Sequence, residues 1–177
     1  MRNVGENKVR IGIVGDTHGS KKAMRLVLSV TPPVDYWFHT GDYSQDGQFL
    51  AYETKLPLLA VAGNTDPTEG KANLDELVTL ADKRIWLTHG HHYMHGYKID
   101  EIAWWAKKLD VDIAVFGHTH IPMVKWYGEI LLINPGSPLS PRDEQGPTFA
   151  VLTINEGEKP QAEIIQIKNI NLQKYNE

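Results

Sequence analysis

The sequence contains no cysteine. That removes disulfide staples, thiolate metal sites and a thiol nucleophile, and leaves carboxylate, carboxamide and imidazole as metal-binding groups. Excess positive charge is missing as well. The 18 Lys and Arg stand against 22 Asp and Glu, a formal charge of −4. No basic surface is advertised for long nucleic acid or an anionic membrane. Two divalent cations would cancel a charge of that size, so the count says little about a cleft that holds metal. Long apolar runs are also absent. The longest, around Leu56 to Ala62, is broken by Pro57 and far too short to span a bilayer. The polar start, Met1 to Arg10, lacks the apolar stretch of a secretory signal, so a cytoplasmic protein is the expectation. No linker, low-complexity stretch or internal repeat interrupts the 177 residues. One domain over 1–177, with one sizeable core, fits that length and an ordinary 41% hydrophobic composition.

What is present is a succession of short apolar strands. Val9 to Val14 reads as a buried strand ending at Gly15-Asp16, followed by a helix that Ser20 can cap and Pro32-Pro33 stops. Asp35 to Thr40 is a second strand and Leu58 to Ala62 a third, with a short helix over Gly47 to Thr54 between them. Strand, helix, strand, helix, strand with short turns predicts a mainly parallel sheet covered by helices. Then the pattern changes. Glu76 to Ala81 and Arg84 to Thr88 read as a hairpin, Lys98 to Leu109 as an amphipathic helix, and Val111 to Phe116 as another buried strand. Short strands follow at Met123–Trp126, Glu129–Ile133, Thr148–Ile154 and Glu163–Ile167, and the polar last eight residues are expected to fray. The whole predicts an α/β protein of two packed sheets with helices outside.

The chemistry lies in where the polar residues fall. Asp16 and His18, Asp42, Asn64 and Asp66, His89, then His118 and His120 each follow a predicted buried strand, usually through a glycine. Ligand sites in open α/β sheets form at the carboxyl ends of strands, and glycine lets the backbone turn sharply there. One such turn is ordinarily structural. Five of them would bury many carboxylates and imidazoles together, which is unfavourable without cations. Nitrogen and oxygen donors without thiolate suit Mn²⁺, Zn²⁺, Fe or Ni²⁺ rather than Ca²⁺.

In order, these residues spell Asp16-Thr17-His18, Gly41-Asp42, Gly63-Asn64-Thr65-Asp66, His89 and Gly117-His118-Thr119-His120. The series resembles the calcineurin-like metallophosphoesterases, over Val9 to about Arg142. The short length and the stretch Asn134-Pro135-Gly136-Ser137 are similar to their small bacterial and archaeal phosphodiesterase branch. The resemblance implies a four-layer αββα sandwich of two mixed sheets flanked by helices. It also implies two divalent transition-metal ions, Mn²⁺ first, with Zn²⁺, Fe or Ni²⁺ as alternatives. Asp16, His18 and His120 would bind one ion, Asn64, His89 and His118 the other, and Asp42 would bridge them. A hydroxide shared by ions about 3.5–4 Å apart would be the nucleophile, and the chemistry would rest most directly on Asp42, Asn64 and His118.

Thr65 departs from the family pattern, since many relatives carry there a histidine that serves the leaving group. A hydroxyl is no general acid near neutral pH. His91 and His92 are the nearest substitutes, with a surface loop as the plain alternative. Asp66 and Thr65 would support the ligands from behind, or Asp66 would simply shape a turn. Arg142 could contact phosphate bidentately or pair with Asp143 or Glu144. His39, inside a predicted strand, reads as a core histidine and His95 carries no signal. Trp37, Trp104 and Trp105 read as packing residues, the last two alternatively at a subunit interface in a homo-oligomer. The expected partner is a small phosphate diester, not long nucleic acid or membrane. The alternatives are a phosphomonoesterase on the same centre and a protein-binding scaffold, like the retromer subunit that resembles this branch.

Overall fold

The computed structural model describes residues 8–67 and 72–168. The polar start of the chain before residue 8 and the tail expected to fray lie outside them. Along the chain run β1 (Lys8–Val14), α1 (Lys21–Val30), β2 (Tyr36–His39), α2 (Gln45–Thr54), β3 (Leu58–Ala60), β4 (Asp75–Leu80) and β5 (Lys83–Thr88). Then come α3 (Ile99–Lys108), β6 (Ile113–Val115), β7 (Met123–Tyr127), β8 (Ile130–Asn134), β9 (Thr148–Asn155) and β10 (Gln161–Gln166). The strands form two five-stranded sheets, ordered β10-β9-β1-β2-β3 and β4-β5-β6-β8-β7.

Both sheets are mixed. β1, β2 and β3 run parallel, with Ile11 opposite Tyr36 and Trp37 opposite Leu58, while β9 and β10 are antiparallel additions. In the second sheet β5, β6 and β8 are parallel, and the edge strands β4 and β7 are antiparallel. The period-2 alternation of strands assigns the faces. Ile11, Ile13 and Phe38 point from the first sheet into a shared core with Ile85, Leu87, Ile113, Val115, Leu131 and Ile133 of the second. Val14, Trp37 and Phe149 point the other way, under Met24 and Val27 of α1 and Leu50 of α2. Trp86, Ala114 and Leu132 meet Ile102, Ala103 and Ala106 of α3. The layers are therefore helix, sheet, sheet, helix. Strands buried on both faces must be apolar there, which is why the buried stretches Ile11–Val14 of β1 and Leu131–Ile133 of β8 read as continuous runs.

Local signals set most element ends. Ser20 accepts a hydrogen bond from the Ala23 N–H at 3.1 Å and starts α1, and Thr31, ahead of Pro32-Pro33, closes it by bonding the Val27 carbonyl. The predicted hairpin is β4–β5, turning on Ala81-Asp82 with Leu80 opposite Lys83. Two predicted strands are shorter than expected. β3 ends at Ala60, with Val61 making only an isolated bridge to Asn73, and β6 occupies Ile113–Val115. One expectation fails. Trp104 and Trp105 are 53% and 38% exposed rather than packed in the core, because α3 turns Ile102, Ala103 and Ala106 inward and the tryptophans outward. They stack edge-to-face on each other, and Trp105 meets Tyr93. No helix among the described residues is long and apolar enough to cross a membrane.

His39, at the end of β2, is fully buried and uses both ring nitrogens. The Gly41 N–H donates to Nδ1 at 3.2 Å, so the proton sits on Nε2, which lies 3.1 Å from the Thr17 hydroxyl. Thr17 in turn donates to the Asp42 carbonyl at 3.3 Å. Burial lowers this imidazole to about 4, against the opposing pull of Asp46, Asp66 and Asp16. A folded-state pKa below the unfolded value means that the unfolded chain takes up the proton first as pH falls. The contribution is complete above about pH 6.5 and is lost as pH falls toward 4, by roughly 3 kcal/mol. Urea unfolding of metal-free protein at pH 7.5 and pH 4.5 should show that loss, and His39→Asn, which keeps the Gly41 bond, should lose correspondingly less. Equal acid sensitivity in the two proteins would mean that His39 is not held neutral.

Candidate metal centre

The parallel strands β1, β2 and β3 of one sheet and β5 and β6 of the other deliver their carboxyl ends to one rim. Asp16 lies two residues beyond β1, Asp42 three beyond β2, Asn64 four beyond β3, His89 directly after β5, and His118 and His120 just after β6. Backbone bonds tie these turns together. Asp16 N–H reaches the Gly41 carbonyl at 2.9 Å, His18 N–H reaches Asp42 O at 3.4 Å, and Gly117 N–H reaches His89 O at 3.1 Å. The approach is close enough to require glycine. A Cβ at Gly63 would collide with the backbone nitrogen and Oδ1 of Asp42, and Gly41, at φ +100°, lies against Gly63.

Five of the seven predicted ligands, Asp16, His18, Asp42, His118 and His120, have left-handed backbones, with φ between 47° and 68°. Such conformations are unfavourable for non-glycine residues and concentrate at functional sites. They turn the side chains toward one another. Single ligand atoms of Asp16, His18, Asp42 and His120 all lie within 4.8 Å of one another. On the other side, His89 Nε2 stands 3.0 Å from Asn64 Oδ1 and 3.5 Å from Asp42 Oδ1, and the His89 and His118 rings are 5.2 Å apart. Asp42 belongs to both groups: Oδ1 faces His89, while Oδ2 faces His18 Nε2 at 4.0 Å.

Comparison with known proteins settles what this arrangement belongs to. The calcineurin-like phosphoesterase superfamily domain matches residues 9–157. The chain belongs to the calcineurin-like phosphoesterase superfamily. A probable metallophosphoesterase of Methanothermobacter thermautotrophicus is 32% identical over 160 residues, covering 88% of this chain and 91% of that one. A phosphodiesterase of Methanocaldococcus jannaschii is 26% identical, covering 72% and 83%. Among solved structures, Vps29 of Entamoeba histolytica with Zn²⁺ superposes at a TM-score of 0.72, with 24% identity over 90% of this chain and 99% of that one. The αββα sandwich is thus the phosphoesterase fold.

The superfamily is metal-dependent, and the donor set here fits a cation. His89 Nδ1 lies 2.8 Å from the Thr40 carbonyl and His120 Nδ1 lies 2.7 Å from the Ser140 carbonyl. A carbonyl only accepts, so both Nδ1 atoms carry protons, and it is Nε2 of each ring that faces the cleft and is left to bind a metal or a proton. There they meet acceptors. His120 Nε2 faces Asp16 Oδ1 at 3.3 Å, and that buried oxygen has no hydrogen-bond partner. Lone pairs converging in this way need a cation or an added proton. Burial works against charge on His120, yet Asp16 and the Ser140 carbonyl outweigh it and raise its pKa, so metal-free protein takes up a proton more readily there. Burial also opposes the charge on Asp42, but His89, Thr65 and His18 outweigh it and hold the carboxyl below its usual range. Burial and His89 push His118 down despite Asp16 and Asp42, keeping its imidazole neutral and able to bind metal.

The supporting residues lie around this centre. Thr65 is exposed and donates its backbone N–H to Asp42 Oδ1 at 2.9 Å. Asp66 accepts from the Ser44 N–H, the Ser44 hydroxyl and the Gly63 N–H, pinning the Asn64 turn onto the start of α2. His91 has its ring 5.1 Å from that of His89 and 6.2 Å from that of His118, and its buried Nδ1 has no partner. Burial, with His89, His92 and His118, lowers it to about 4, so it is neutral at pH 7. Arg142 makes no ion pair with Asp143 or Glu144 among the described residues. Its guanidinium donates to the Tyr97 hydroxyl at 2.5 Å, and its backbone N–H reaches the His120 carbonyl at 3.3 Å. His95 is exposed and pairs with Glu101.

Sequence reasoning missed Thr40, Ser137 and Ser140. Ser137 donates to the Asp16 carbonyl at 2.8 Å, and Asn134 holds the His118 turn by donating to Gly117 O at 2.8 Å. Only the Asn134–Ser137 stretch carried a signal. Thr40 and Ser140 act through backbone carbonyls, which every residue possesses.

Proposed function

We propose that the chain, as one metallophosphoesterase unit, is a dinuclear metal-dependent phosphodiesterase. The observation that carries this is the division of Asp42, whose two oxygens face two different sets of donors. Asp16, His18, His120 and Asp42 would hold one ion, and Asn64, His89, His118 and Asp42 the other, with Mn²⁺ the first candidate. When bound, such ions supply Lewis acidity, making water a nucleophile at neutral pH and neutralising charge on phosphoryl oxygens.

The chain's own residues do the rest. Thr40 O and Ser140 O fix the His89 and His120 rings and their tautomers, and Thr65 N–H fixes the Asp42 carboxylate. Arg142, whose backbone is bonded to the His120 carbonyl, would meet non-bridging phosphate oxygens. Neither Thr65 nor a neutral His91 donates a proton readily to a leaving group at pH 7. A diester, with one negative charge fewer than a monoester, suits that site better. The M. jannaschii relative named as a phosphodiesterase supports the same choice. A scaffold has no need of seven matched donors, all of which are present.

The test compares Mn²⁺-loaded protein on bis-p-nitrophenyl phosphate and on p-nitrophenyl phosphate, which share a leaving group. The diester is expected to give the higher kcat/KM by about 10-fold or more, roughly 1.4 kcal/mol of preferential transition-state binding; the shared p-nitrophenolate leaves without protonation, so the comparison reads the ester class and not the leaving-group acid. Faster monoester turnover would favour a phosphomonoesterase, and turnover of neither would return the scaffold reading.

A further inference from the structure

Beside the metal centre lies a cavity of about 160 Å³ whose lining includes Tyr97, Ile99, Phe116, Thr119, Ile121 and Asn134. Two of its lining residues adjoin the ligand residues. Thr119 sits between His118 and His120, and the Tyr97 ring stands 5.8 Å from the His118 ring. Its polar lining is already engaged within the protein. Asn134 Nδ2 donates to Gly117 O at 2.8 Å and Thr119 Oγ1 at 3.1 Å, and its Oδ1 accepts from Gly136 N–H at 2.9 Å. Thr119 Oγ1 also accepts from the Ile121 N–H at 3.2 Å. What remains for a ligand is apolar surface. A volume of roughly 150 Å³ is enough for one benzene-sized ring.

Tyr97 joins the cavity to the phosphoryl side. It is an exposed bulky residue at φ +65°, a conformation disfavoured unless the surroundings impose it. Its hydroxyl accepts from Arg142, whose backbone is tied to His120. We propose that this cavity is the subsite for an aromatic ester substituent of the substrate, with Tyr97 forming its wall on the side of the metal centre. The assignment rests on the phosphodiester reading. A diester has a second substituent that a monoester lacks, and this cavity gives it a place.

Two diesters with one leaving group test the idea: p-nitrophenyl phenyl phosphate and p-nitrophenyl methyl phosphate. Wild type should prefer the phenyl ester by about 10-fold or more in kcat/KM, the scale of filling an apolar pocket. Ile121→Trp, which fills the cavity, should reduce that ratio to about 2-fold or less. Because both esters are read on each protein, a change in metal loading cancels. A wild-type ratio near one, or a ratio unchanged in Ile121→Trp, overturns the proposal. Phenol titrated into metal-free, methyl-labelled protein gives a readout independent of turnover and, in wild type, of any variant's folding. Saturable shifts of Ile99 and Ile121 methyl resonances are expected. If neither diester is hydrolysed but these shifts occur, the aromatic site stands and the phosphodiesterase reading falls. Absence of the shifts removes the site whatever the enzyme hydrolyses.

Discussion

Asp42→Asn is expected to lower diester turnover by about 10²-fold or more, the scale of removing a principal charge-stabilising group from an active site. The structure explains why this residue outranks its neighbours. Its Oδ1 stands 3.5 Å from His89 Nε2 and its Oδ2 4.0 Å from His18 Nε2, so one carboxylate serves both donor groups. Asparagine preserves the shape but presents one neutral oxygen and one NH₂ group. The amide cannot offset the repulsion of two cations, and its NH₂ would point a donor where a ligand is needed. At least one ion should bind more weakly, as metal analysis after dialysis would show. The fold should survive, because the metal-free site then carries one buried negative charge fewer. His18→Ala provides the contrast. His18 lies at the half-buried edge of one donor group, so excess metal should restore part of its activity and little of that of Asp42→Asn. A near-wild-type rate for Asp42→Asn at saturating Mn²⁺ would move the bridge to another residue.

Stripping metal should have the largest effect of all, with hydrolysis falling to background and returning on addition of Mn²⁺. No cysteine exists in the chain, and the Ser137 hydroxyl is buried and donated to the Asp16 carbonyl, so neither replaces an activated water. The two donor groups predict two ions per chain at saturation. Titration of Mn²⁺ into stripped protein, followed by electron paramagnetic resonance and by rate, should show activity rising with the second equivalent. Full activity without metal would end the metal-dependent reading, and full activity at one equivalent would end the dinuclear one.

Much of this site was visible along the chain, because strand ends, glycines and hard ligands recur together over short spans. Asp16-Thr17-His18 and His118-Thr119-His120 place two donors each through local backbone geometry, and the strand before each turn announces itself by its apolar run. The layering was legible for the same reason. Ile11 and Ile13 alternate with Gly12 and Val14, and a strand with apolar side chains on both faces requires cover on both. Helix α3 was legible in position but not in rotation about its axis. Trp104 and Trp105 satisfy the same composition rule as Ile102 and Ala103, and only docking against Trp86 and Leu132 decided which side faces out.

By itself, then, the sequence determined the family, the order of the strands' terminal turns and the kinds of donor they carry, all properties of residues near one another in the chain. The tertiary structure decided which donors meet. It split Asp42 between two groups, aimed His89 and His120 by carbonyls 49 and 20 residues away, and set Tyr97 against Arg142 across 45 residues. Carbonyl acceptors are common to all residues and leave no mark in composition or spacing. Their selection depends on how two sheets pack, which is a property of the whole core rather than of any one segment.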